Sequence, residues 1–248
     1  MFIDISVMDD ITLVRNLEKG QLSVFSTQQL TVEMNMDISS ATVRLNRLVK
    51  KGVLQRIMRG RYVLPSADII SLASNIYTPS YVSLLAAFAY YGTTTQSPKV
   101  IDVINPIRSY TLQIKLEKGN FEIRFIKVHP YLIYGYTKSV NDGKATLIAE
   151  KEKTIVDSLL FPQYVNLDEA AACIMEGIDK KKAIQYAIRT KRQSVMKRLG
   201  YLLSSKDIVF STKNLPKLSD TYVPLDPSLP RRGKYDKKWR VIVNRVIE

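Results

Sequence analysis

The chain has one cysteine, one histidine and one tryptophan in 248 residues. A lone Cys173 cannot close an internal disulfide, which suits a reducing compartment. Cys173 with His129 cannot supply an ordinary zinc ligand set. A Ser-His or Cys-His hydrolase would have to use His129, which precedes a proline in VHPY and is held extended there. No apolar run nears the roughly 18–20 residues that span a bilayer, so no membrane partner is expected. The start, MFIDISVMDDITLV, carries acids where a secretion leader carries basic residues, and it lacks a small-residue cleavage site. A cytoplasmic location is the expectation. Neither a GxxxxGK[ST] nor a GxGxxG phosphate loop occurs, and no cofactor is expected.

What the chain does have is positive charge. Lys plus Arg number 37 against 23 Asp plus Glu, a formal net charge of +14, and 46% of residues are hydrophobic. The length accommodates two modest domains with ample core. The excess is uneven: residues 1–65 carry 9 basic and 6 acidic residues, residues 66–178 carry 10 and 11, and residues 179–248 carry 18 and 6. The middle is electrically neutral, and both ends can meet polyanions. A solvated lysine-rich surface is the plainer account of the same numbers.

In the first 65 residues, Ile11, Val14 and Leu17 recur at helical spacing and Gly20 closes the segment. Ser26-Thr27-Gln28-Gln29 opens a second short helix. SSATVRLNRLVKKG predicts a third, with Ser39 as N-cap and Gly52 past its end. Ala41, Leu45 and Leu48 face the core of this helix, while Ser40, Arg44, Arg47 and Lys51 share another face, flanked by Thr42 and Asn46. VLQRI and RYVLP read as a hairpin whose tip carries Arg59 and Arg61. This is the order of a winged helix-turn-helix. A major groove about 12 Å wide admits one helix bearing short polar groups and Arg, and the hairpin supplies cations for phosphates. Between residues 37 and 62 there are seven cations and one acid, Asp37. The expected DNA-contacting set is Ser39, Ser40, Thr42, Arg44, Asn46, Arg47, Lys51, Arg59 and Arg61. A basic helical domain used for protein contacts is the alternative.

Residues 66–248 are expected to form a larger mixed α/β domain, so the whole is classed α+β. A Pro- and Ser-containing stretch with a connecting helix, DIISLASNI, marks the boundary. SYVSLLAAFAYYG reads as a buried helix. KVIDVIN, YTLQIKL, FEIRFIKV and YLIYGYT read as strands, and ATLIAEKEKTIVDSLLF as one helix. Asp142-Gly-Lys144 has the end of a metal-dependent nuclease motif, but Asn141-Asp142-Gly143 is the stronger turn signal. Glu150, Glu152 and Asp157 alternate with lysines as on a solvated helix face. Neither reading yields a catalytic or metal site, and Cys173 among apolar helix residues reads as core filler. Residues 180–205 form two helices without one acid. Lys180, Lys181, Lys182, Arg189, Lys191, Arg192, Lys197 and Arg198 are expected on their outside, as an antitoxin or polyanion surface. DIVFST and Trp239–Val243 read as short strands around an extended, proline-stiffened tail.

Together, a winged helix followed by YVSLLAAFAYYGTTTQ, IAEKEKTIVDSLL and YVPLDPSLPRRGKYDKKWRVIVN resembles the AbiEi-type antitoxins of bacterial and archaeal toxin–antitoxin loci. The likeness covers essentially the whole chain and rests on core and turn patterns, not on a catalytic signature. It implies a DNA-binding N-terminal domain that represses its own operon and a C-terminal domain that opposes a nucleotidyltransferase toxin encoded beside it, without a stable complex. The implied partners are double-stranded DNA at a repeated or palindromic site in its own promoter, and the toxin or that toxin's nucleic-acid substrate. It implies no catalytic residues. A ligand-responsive winged-helix regulator and a nucleic-acid-processing enzyme remain the alternatives.

Overall fold

The computed structural model describes residues 9–141, 143–212 and 215–247. Residues 1–8, with Asp4 of the acidic start, and Asp142 of the expected turn lie outside them. Among the described residues there are nine α-helices and twelve strands, an α+β architecture. The N-terminal elements are α1 (Asp10–Lys19), β1 (Phe25–Ser26), α2 (Thr27–Glu33), α3 (Ile38–Lys50), β2 (Gln55–Met58) and β3 (Arg61–Val63). The middle comprises α4 (Ile69–Asn75), β4 (Tyr81–Ser83), α5 (Leu84–Tyr90), β5 (Val100–Asn105), β6 (Tyr110–Leu116), β7 (Gly119–Lys127), β8 (Tyr136–Asn141) and β9 (Lys144–Ala149). Then come α6 (Lys151–Leu160), α7 (Leu167–Met175), α8 (Lys180–Arg189), α9 (Gln193–Ser205), β10 (Val223–Pro224), β11 (Lys234–Asp236) and β12 (Val241–Val243). The strands form three sheets, ordered β1-β3-β2, β6-β7-β5-β4-β9-β8 and β10-β12-β11.

The chain divides into two compact units, the first drawn from Met1–Tyr81, Lys99–Ile126 and Lys138–Leu147, the second from Val82–Pro98, Lys127–Thr137 and Ile148–Glu248. The boundary expected after residue 65 falls inside the first unit. There α4 is tied to β9, with Ser71 Oγ and Asn75 Nδ2 donating to the Ala145 carbonyl at 2.8 and 2.7 Å. In the same unit β6 and β7 pair antiparallel from Tyr110↔Phe125 to Leu116↔Gly119, so Glu117 and Lys118 turn the hairpin. Lys144, the end of the nuclease-like motif, donates to the carbonyls of Leu17, Glu18, Gly20 and Leu22 at 2.6–3.3 Å. Its ammonium thus caps the C-terminus of α1, where helix carbonyls lack intrahelical partners.

In the second unit Val82 of β4 pairs in parallel with Ile148 of β9. Several expectations are corrected here. The single helix read over residues 145–161 is strand β9 followed by α6, because Ala145–Ala149 is buried in a sheet and the helix begins only after Glu150. The buried helix read over residues 80–92 likewise begins at Leu84, after β4. Tyr131–Thr137 is mostly not strand: Pro130–Leu132 forms a 3-10 turn and β8 starts at Tyr136. Residues 207–212 form no strand. The Glu-Lys-Glu-Lys stretch is not a solvated face either. Helix α6 packs against α5, α7, α8 and α9, which buries Glu152, Lys153 and Asp157. Lys153 and Asp157 pair, and Ser83 Oγ donates to Asp157 at 2.9 Å. Burial pushes the Lys153 ammonium below its usual range against the opposing pull of Asp157. Cys173 is core, its thiol raised by burial to about 11.

Candidate nucleic-acid interface

The geometry of α3 follows from three local causes. Helix α2 starts with a capping box, Gln29 N–H donating to Ser26 Oγ at 3.1 Å and Ser26 N–H to Gln29 Oε1 at 2.8 Å. Asp37, not Ser39, caps α3. One Asp37 oxygen accepts from the Ser39 and Ser40 N–H groups at 2.9 and 3.0 Å and also from the Ser39 hydroxyl. A carboxylate two residues earlier outcompetes the Ser39 hydroxyl because it serves two orphan donors and suits the positive end of the helix. Those bonds hold the Asp37 carboxyl well below the usual carboxylate range. The inner face then locks α3 down, since Ala41, Leu45 and Leu48 are buried with Leu13, Leu17, Phe25, Leu30, Met34 and Tyr62.

With that face fixed, the remaining side chains of α3 fall into two stripes. Ser39, Thr42, Val43, Asn46 and Lys50 are all exposed and recur at helical spacing along the outward face. Ser40, Arg44, Arg47 and Lys51 lie on the flank that meets the N-terminus of α1. There Asp10 gathers three cations: its Oδ1 lies 3.0 Å from Arg44 Nη2 and 3.9 Å from Arg47 Nη2, and its Oδ2 lies 3.2 Å from Lys51 Nζ. The Arg44 hydrogen bond leads in holding the Asp10 carboxyl below its usual range. Arg44 is 6% exposed, against 60% for Arg47. The expected placement of Arg44 on the outer face is therefore corrected: it is a buried strut between α1 and α3. Counting acids only within residues 37–62 missed Asp10, which is brought in by packing.

The hairpin is anchored to the same body. Strand β1 pairs with β3 through Phe25↔Tyr62 and Ser26↔Arg61, and Thr27 N–H donates to the Gly60 carbonyl at 3.1 Å. Gly60 turns the tip at φ 70°, where a side chain would be strained, and this presents Arg59 to solvent with Arg61 half-buried beside it. Of the residues expected to contact DNA, Ser39, Ser40, Thr42, Asn46, Arg47, Lys51 and Arg59 are exposed. Val43 and Lys50 join the outward stripe and were not in that set. Val43, 72% exposed on a helix, could have been noticed as an apolar residue off the core stripe.

The second expected surface, in the other unit, loses two of its eight cations to the interior. Lys197 is fully buried: its Nζ donates to the Ser219 carbonyl and hydroxyl at 2.9 Å and to the Thr221 carbonyl at 2.5 Å. Burial lowers its ammonium below the usual range. Arg198 is buried and donates to the carbonyls of Pro224 and Leu159 at 3.0 and 3.2 Å. Lys182 sits 2.9 Å from Glu150, and Lys180 donates to the Val209 carbonyl at 2.7 Å. Lys197 and Arg198 were read as outward because charge was taken as a sign of exposure, whereas the tail after α9 folds back and supplies acceptors. Lys180, Lys181, Arg189, Lys191 and Arg192 remain exposed, and Lys182 is half-buried. Among the described residues no three His, Cys, Asp or Glu are grouped to hold a metal ion, and no helix is long and apolar enough to cross a membrane. Compared with known proteins, the chain matches no family model and no curated sequence.

Proposed function

We propose that this chain is a sequence-specific DNA-binding repressor of the winged helix-turn-helix class. We further propose that it is an antitoxin of the AbiEi type, acting against a nucleotidyltransferase toxin. The observation that carries the first reading is the outward stripe of α3, where Ser39, Thr42, Asn46 and Lys50 offer short donors and acceptors with one apolar contact, Val43, and no acid. Such a stripe suits base edges and a thymine methyl group in a major groove. The order helix, strand, helix, helix, hairpin and the cationic tip support it. The antitoxin reading rests on the sequence resemblance, and its activity is assigned to the second unit.

Footprinting the DNA upstream of the gene tests the first reading. Wild-type protein should protect a repeated or palindromic site, and Asn46→Ala should cost about 1–3 kcal/mol of specific binding, the worth of one bidentate base contact. Binding no tighter to that DNA than to random duplex would end this reading. Rescue of cells expressing the neighbouring nucleotidyltransferase tests the second. A ligand-responsive regulator has one observation in its favour, a cleft of about 410 Å³ lined by Leu17, Leu22, Phe25 and Leu30 within the first unit. It would be preferred if a small molecule released the operator.

A further inference from the structure

The exposed cations of the second unit are not spread evenly. Arg189, Lys191 and Arg192 are exposed within four residues at the C-terminal end of α8, and aromatic rings interleave with them. Lys191 Nζ lies 5.4 Å from the Tyr131 ring centroid, and the Arg189 guanidinium lies 4.0 Å from that of Tyr134. The His129 and Tyr131 rings are 4.7 Å apart and tilted by 43°. The His129 ring is fixed by accepting the Tyr131 N–H at 3.4 Å, in the 3-10 turn that Pro130 begins. Tyr134 is buried and donates to the Tyr186 carbonyl, so it serves to hold Arg189 in place. Among the described residues no salt bridge engages Arg189, Lys191 or Arg192, in contrast to Lys182 of the same helix.

A second feature marks the same spot. Lys191 follows the end of α8 with φ 56°, the left-handed position that helices ordinarily give to glycine. A lysine is strained there, one of five non-glycine residues that the described fold holds at positive φ. We infer that His129, Tyr131, Arg189, Lys191 and Arg192 form a binding site for single-stranded nucleic acid, with the cations on the phosphates and the exposed His129 and half-buried Tyr131 rings offering a stacking platform for a base. Alternating aromatic and cationic groups serve a flexible strand, whose unpaired bases can lie flat on a ring. The inference uses only the second unit and does not rest on operator binding by the first.

Fluorescence anisotropy on the full-length protein tests it, using labelled U12 RNA, labelled dT12 DNA and the operator duplex. Wild-type protein should bind at least one of the single strands. Tyr131→Ala should weaken that binding about fivefold or more, the fold equivalent of losing one stacked base. Lys191→Gly is the sharper variant, because glycine relieves the left-handed backbone while removing the charge. It should keep or raise Tm, yet weaken single-strand binding and flatten the slope of log K against log salt by about 0.7. Neither variant should alter operator affinity. Preference for U12 assigns RNA, and equal binding assigns single strands generally. Failure of wild-type protein to bind either strand overturns the proposal, as does binding that survives both substitutions. Loss of single-strand binding in Asn46→Ala would also overturn it, by assigning the strand to the first unit.

Discussion

Replacing Asp10 by Asn isolates what the α1–α3 strut contributes, because the substitution keeps shape and removes one charge. In the fold, Asp10 faces a buried Arg44 at 3.0 Å and two exposed cations, Arg47 and Lys51. Breaking a fully buried ion pair by removing one partner costs about 3–5 kcal/mol. Asp10 itself is 25% exposed, which admits solvent to Arg44, and the exposed Arg47 and Lys51 contacts add at most about 1 kcal/mol each. The expected loss is therefore about 1–3 kcal/mol at pH 7, read from urea melts of Asp10→Asn against wild type. The pH dependence has a definite sign. The folded Asp10 carboxyl lies below its ordinary value of 3.8, so its contribution is present above the unfolded pKa and disappears as pH falls through the folded one. The stability gap between the two proteins should be complete well above 3.8 and shrink only at pH values below it. On DNA, the freed Arg47 and Lys51 should raise affinity for random duplex. Up to two added phosphate contacts would steepen the salt slope by about 0.9 each. Equal stability of the two proteins at pH 7, or a gap that widens as pH falls below 3.8, would refute the strut.

Lys153→Ala should cost about 3–5 kcal/mol by leaving Asp157 buried without its cation, while the pair Lys153→Met with Asp157→Leu should recover most of it in chemical denaturation. Gly200→Ala should destabilise by about 1–3 kcal/mol, because a Cβ there collides with the ring of Trp239, and a melting curve will read the loss. Leu45→Ala, fully buried in α3, should lower stability by about 2–5 kcal/mol and reduce operator binding only through loss of folded protein, as a titration corrected for folded fraction will show.

The N-terminal elements were legible because each is short, amphipathic and punctuated. Apolar spacing gave α1 and the core face of α3, Ser26 gave the start of α2, and Met58-Arg59-Gly60-Arg61 gave the hairpin tip. Two readings failed there: the cap of α3, where Asp37 outcompetes Ser39 two residues on, and Arg44, whose partner Asp10 lies 34 residues away with nothing local to announce that they meet. In the middle of the chain the helix read over residues 145–161 failed for a different reason. A run such as ATLIA, apolar but for Thr146, has no clear period, so strand and helix cannot be told apart until a neighbouring strand is known. In the C-terminal basic run Lys197 and Arg198 were misplaced, because a long cationic side chain has an apolar stem and can be buried provided its tip finds oxygens. Arg189, Lys191 and Arg192 were correctly read as exposed, but the aromatic rings beside Arg189 and Lys191 come from a segment about sixty residues earlier.

With 23 acids for 37 bases, this chain cannot pair every cation with a carboxylate, and the fold shows what it does instead. Lys144, Lys180, Lys197, Arg198 and Arg231 all donate to backbone carbonyls. Lys144 and Lys197 each sit in a socket of several oxygens, closing the end of α1 and the return of the tail onto α9. A carbonyl socket satisfies the ammonium without cancelling its charge, so the molecule folds tightly and keeps its positive excess. It also separates two responses to salt. Exposed ion pairs and phosphate contacts are screened as ionic strength rises, whereas the buried charge–dipole bonds of Lys197 and Arg198 are screened much less. Raising salt from 50 mM to 500 mM should therefore strip nucleic acid from this protein while leaving its Tm nearly unchanged. A parallel fall of Tm and nucleic-acid affinity over that range would mean that surface ion pairs, not carbonyl sockets, hold the fold together.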